Sequence, residues 1–263
     1  MRETGDWSNI QALLVGLRTA NRNILPAQLQ KTLRLLNEAG EQGRILQLCQ
    51  DVRYTGVKLD SWPIVKEVLL GAVFRILRYN DGLDGVEGIG REQAMKRAVR
   101  EGVKHATKVW ELLWDEKHAG DGSKALRKRV EVVAVLTLVH ALRAKVGVAE
   151  EKIVAREACE RYGRMMVRQW KGLPGVEQGE KIPKAERWRD ANELLLPWAP
   201  VAKAASVAGV VLKDTRLGED VKEMGNEVKN EVERLVGIVR AEGMADGKRR
   251  GVSMAEELDA LEV

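Results

Sequence analysis

Cysteine, phenylalanine and histidine are scarce in this chain, and each scarcity removes a class of protein. Cys49 and Cys159 are the two cysteines among 263 residues. A disulfide framework and a Cys-x-x-Cys zinc site are therefore both excluded, and a reducing compartment fits. One Phe (Phe74) and three Tyr, set beside abundant Ala, Leu, Glu, Lys and Arg, leave few residues that favour strands. No stretch alternates apolar and polar residues for long enough to build a half-buried strand. Long apolar runs are missing too: 130–142 is interrupted by Glu131 and His140, and 204–212 is too short for a bilayer, so no membrane span is expected. The opening Met-Arg-Glu-Thr-Gly-Asp-Trp has neither an apolar signal core nor an acid-poor transit composition, which is the pattern of a cytoplasmic protein or of a chain whose natural start lies upstream. His105, His118 and His140 have no cysteine or carboxylate cluster at metal spacing, and Cys159 has no histidine within sequence reach. No metal, cofactor or catalytic residue is assigned, and the chain reads as a non-enzyme.

What is present is helical. The hydrophobic share of 44% with 32% charged residues suits a folded protein, and apolar residues recur at steps of three and four along several long segments. The formal charge is +5, and residues 91–129 hold eleven basic against six acidic side chains, which is the whole excess. Within that segment Arg97, Arg100, Lys104 and Lys108 follow steps of three, four and four. They share one helix face, suited to tracking phosphates or simply to facing solvent.

The chain also repeats. At an offset of 35, Gly5 falls on Gly40, Ile10 on Ile45, Leu13 on Leu48, Leu17 on Val52 and Asn21 on Gly56. The complete unit spans 26–60: Leu29, Leu33 and Leu36 stripe a first helix, Ile45, Leu48 and Val52 a second, and Gly40 and Gly56 supply the turn and the stop. Neither helix buries its stripe alone, so neighbouring pairs must stack.

Ala39-Gly40 at the turn, Leu46-Gln47-Leu48 in the second helix and Gly56-Val57-Lys58-Leu59-Asp60 at the end resemble a divergent pentatricopeptide repeat of the fungal mitochondrial type. Leu59, Leu29 and Ile45 depart from the usual pattern of that family. The resemblance covers 5–76 and implies single-stranded RNA or a ribonucleoprotein as partner, a mitochondrial location, and base reading by Gln30 and Asp60. Residues 5–25 match only the second helix of a unit, as in a chain truncated at its start.

The expected architecture is all-α: antiparallel hairpins stacked as a short right-handed α-solenoid, then a less regular C-terminal bundle. Helical repeats occupy 5–76 and a Gly-rich loop 77–90, which lacks the Gly-Lys-Ser/Thr ending of a phosphate loop. A helical region fills 91–172, in which 130–142 is apolar all round and reads as a central buried helix. A linker at 173–184 precedes helices at 185–243, broken or kinked at Pro197 and Pro200, and a flexible tail at 244–263. Two functions fit: an RNA-binding or ribonucleoprotein-associated protein of organellar gene expression, or a scaffold that holds a protein partner without RNA.

Overall fold

Helix ends fall where the backbone chemistry places them. The computed structural model describes residues 7–22, 24–81, 89–118, 123–173, 182–185, 187–241 and 250–261, and every regular element among them is a helix. Helix α1 (Ile10–Thr19) leads to α2 (Pro26–Ala39). Pro26 opens α2 at its first position, where the missing N–H has no helical partner to lose. Gly40 closes it at φ +86°, with Gly40 N–H donating to Asn37 O and Glu41 N–H to Leu36 O. Helices α3 (Gln42–Gln50) and α4 (Val52–Thr55) run to Gly56 at φ +75°. The turn and the stop expected at the two glycines are thus both left-handed, and Leu33, Leu36, Ile45, Leu48 and Val52 are buried as their spacing requires.

Helix α5 (Trp62–Asp81) packs against α2, α3 and the long α6 (Ile89–Trp114). The two helices overrun the expected loop at 77–90 from both sides; 82–88 lie outside the described residues. After the short α7 (Ser123–Arg127) come α8 (Val130–Val146) and α9 (Ala149–Lys171). Every residue from Val130 to Leu142 is buried, because α5, α6, α9 and α10 (Trp188–Val211) surround α8. The central helix is where the all-round apolar pattern puts it.

Two expectations are corrected in the last quarter. Pro197 and Pro200 do not break the helix: α10 passes through both. Each proline removes a backbone hydrogen bond, but α8, α11 (Arg216–Ala241) and α12 (Arg250–Ala260) bury Leu195, Leu196, Trp198 and Val201 around them, and that packing holds the helix together. Read through its prolines, α10 is long and apolar enough to cross a membrane by length and composition, and 61% of its most apolar window is buried within this fold. The expected tail contains α12, whose Val252, Met254, Leu258 and following Leu261 are buried. Its sequence is polar by composition, but Met254, Leu258 and Leu261 at steps of four and three join the main core while Val252 joins the smaller cluster, and together they dock it. The main apolar core runs without interruption from Leu14 to Leu261, with a smaller cluster around Leu195, Leu235, Val239 and Val252.

Candidate nucleic-acid interface

Gln30 sits half-buried on α2 in a cleft of about 370 Å3 with Ala27, Lys31, Arg34, Glu67 and Glu193. Two carboxylates of this cleft are already satisfied. Glu193 meets Lys66 at 2.8 Å, and Glu67 takes a two-pronged bond from Arg250, at 2.9 and 2.7 Å. Asn37 extends the polar seam, donating from Nδ2 to Glu67 O at 2.7 Å. Asp60 is exposed just ahead of α5 and is not among the residues lining the cleft. The structure therefore places one member of the sequence-derived pair in a concave polar site and the other on an open surface.

Arg97, Arg100 and Lys104 are exposed along α6 and Lys108 is half-buried. Three of these charges are balanced within the protein: Arg100 by Glu151 of α9 at 3.0 Å, Lys104 by Glu101 at 2.8 Å and Lys108 by Glu111 at 3.0 Å. The hydrogen bond from Lys104 and the neighbouring positive charges hold the Glu101 carboxyl below its ordinary range. Arg97 makes no ion pair among the described residues. Sequence counting saw four cations on a face but not the partner from α9, which lies fifty-one positions away in the chain.

The histidines and cysteines behave as core residues. His105 is buried, and its Nε2, 2.8 Å from Val68 O, must carry the proton because a carbonyl only accepts. Burial pushes its pKa down to about 4. His140 stacks on Tyr162 with ring centres 5.5 Å apart, and burial likewise lowers it to about 4. Burial raises both cysteine thiols to about 12, the opposite of an activated nucleophile. No group of three or more metal-binding side chains converges among the described residues.

Sequence reasoning missed two stacked pairs. The Arg127 guanidinium lies 4.1 Å from the centre of the Trp114 ring, and Arg129 lies 4.0 Å from that of Trp62. Trp114 also meets Trp110 edge-on at 6.0 Å. The basic run 124–129 was visible in the sequence, but its aromatic partners are brought to it by the packing of α7 and α8 on α6 and α5.

No curated protein sequence matches the chain. One family model, described as Mitochondrial ribosomal protein mS27, matches residues 1–257. That family is ribosomal and generally non-enzymatic, and it sets the protein in the mitochondrion in association with a ribonucleoprotein. The match spans nearly the whole sequence, and the chain belongs to the mitochondrial ribosomal protein mS27 family.

Proposed function

We propose that this protein is a structural RNA-contacting component of the mitochondrial ribosome, whose segment 26–60 serves as a pentatricopeptide-like unit in a short right-handed solenoid. The match to the mS27 family over residues 1–257 carries the reading. In support, Gln30 and Lys31 line one cleft whose carboxylates are neutralised by Lys66 and Arg250, leaving an amide and a cation for an unpaired nucleotide. Asp60 and the α6 face of Arg97, Arg100, Lys104 and Lys108 contact the same RNA. A scaffold holding a protein partner without RNA is the second reading, favoured by the intramolecular pairing of three of the four α6 cations.

Sedimentation of a mitochondrial lysate through a sucrose gradient tests it. The tagged protein is expected with ribosomal particles at physiological salt, and after ribonuclease treatment it should move to the top of the gradient. A position among free proteins in the untreated lysate would overturn the ribosomal role. Retention in a heavy, ribonuclease-resistant complex would transfer the assignment to the protein scaffold.

A further inference from the structure

The cations at 124–128, in and just after α7, differ from the three paired cations of α6. Lys124 and Lys128 are exposed and Arg127 is half-buried, and none of the three makes an ion pair among the described residues. The Arg127 Nε is buried without a hydrogen-bond partner. Beside them Trp114 leaves 58% of its surface in water, although a side chain of this size gains more than almost any other from burial. The Arg127 guanidinium covers the Trp114 ring at 4.1 Å, which fixes two flat surfaces in a stack before any ligand arrives. Arg129 repeats the arrangement on Trp62 two residues further along the chain, here balanced by Glu131 at 2.5 Å. Among the described residues, no carboxylate pairs with Lys124, Arg127 or Lys128. Asp115 accepts from the Lys117 backbone N–H at 2.9 Å and pairs with the Lys117 ammonium, and Glu116 is exposed two residues beyond Trp114.

We infer that Trp114, Arg127, Lys124 and Lys128 form a contact site for single-stranded RNA, in which one base stacks on the Trp114–Arg127 pair and the flanking phosphates meet the two lysines. An acidic peptide would satisfy the cations and leave the indole wet. A duplex would present phosphates but keep its bases stacked internally. An unpaired nucleotide offers a π face and a phosphate side by side, matching both halves of the site. This rests on the ribonucleoprotein reading above, but it moves the principal RNA contact from the α6 face to the junction of α6 and α7.

Fluorescence polarisation of a labelled oligouridylate with the full chain across a salt series tests the site. Four variants complete the set: Trp114→Ala, Trp114→Phe, the triple Lys124→Gln/Arg127→Gln/Lys128→Gln, and Arg97→Gln/Arg100→Gln/Lys104→Gln/Lys108→Gln. Circular dichroism confirms the fold of each, and the high exposure of Trp114 means that its replacement leaves the core intact. Trp114→Ala should weaken binding roughly 5- to 100-fold, with Trp114→Phe keeping most of the affinity. The triple variant should flatten the logarithmic salt dependence by about 1.4, because each of the two lysines neutralises one phosphate of a single strand and each such contact adds about 0.7 to that slope. The α6 variant should change it less. If the native chain binds RNA and the Trp114→Ala and triple variants both bind as well as it does, the site is wrong while the ribonucleoprotein reading stands. If the native chain binds no RNA at low salt yet still sediments with ribosomal particles, the site is again overturned and the ribosomal contact runs through protein.

Discussion

The bond between Glu67 and Arg250 joins α5 to α12 across 183 positions of sequence, and its removal should be the most damaging polar change in the molecule. Glu67 is 1% exposed and Arg250 15% at their side chains, and the guanidinium grips both carboxylate oxygens at 2.9 and 2.7 Å while lying 5.1 Å from the Phe74 ring centre. Replacing Glu67 with Gln keeps the shape but leaves the largely buried Arg250 charge without its counter-ion. Loss of one partner from a buried pair costs about 3 to 5 kcal/mol, whereas an exposed pair is worth about 1 kcal/mol or less. For a chain of this size that corresponds to a fall of roughly 6 to 20 °C in Tm. Urea unfolding followed by circular dichroism gives the total. Amide exchange gives its location, with α12 protection expected to drop on the order of a hundredfold or more as the helix loses its anchor. The double variant Glu67→Leu/Arg250→Met removes both charges and should recover most of the loss, because apolar replacements of similar volume avoid the cost of an unpaired buried ion. A Glu67→Gln loss below about 1 kcal/mol would refute the reasoning, since the pair would then be behaving as a solvated surface bridge.

Four further perturbations have signs fixed by the structure. A Cβ at Gly225 would come 2.9 Å from the Ala205 Cβ, at the contact of α10 with α11, whereas one at Gly16 meets nothing within 4 Å. Gly225→Ala should therefore destabilise by about 1 to 3 kcal/mol through overpacking, and Gly16→Ala should stabilise by up to about 1 kcal/mol through helix propensity; urea midpoints of the two distinguish them. Gly40→Ala should cost about 1 to 2 kcal/mol for its left-handed backbone alone, with a further loss from displacing Arg78, and a neutral result in the same assay would contradict the assigned turn. His105 and His140 are held neutral in the fold, with pKa values of about 4 against an ordinary 6.5. The unfolded chain then binds protons that the native state refuses between pH 6.5 and 4, so stability is fully present above that window and falls as pH drops through it. Each histidine accounts for a loss on the order of 3 kcal/mol by pH 4. His140→Phe should flatten the slope of unfolding free energy against pH between 6.5 and 4.5, and an unchanged slope would remove His140 from the account.

Periodicity made the helices legible where one apolar stripe met one core. The stripes of α2, α3 and α11, and the all-apolar α8, read directly because helix spacing is a local property of the chain. Gly40 and Gly56 were legible for a related reason, since a left-handed residue has few other candidates. Helix α10 was misread because proline removes a donor locally, while the compensating burial comes from α8, α11 and α12. Helix α12 was misread because its polar composition is local and its docking surface is not. The surface chemistry was less legible still. Arg100 looked like a free cation until α9 brought Glu151 to 3.0 Å, and Arg127 looked like one of several basic residues until α6 brought Trp114 beneath it.

The sequence by itself determined that the chain is helical, which faces of those helices are apolar, where two of them turn, and that the net charge is positive, because each of these follows from side chains within a turn or two of one another. Only the tertiary structure decided which charges are cancelled and which remain available, which prolines are tolerated, and that the last helix closes back on α5. Those outcomes depend on pairs such as Glu67 and Arg250, whose meeting is set by packing and leaves no mark on either residue's own neighbourhood in the chain.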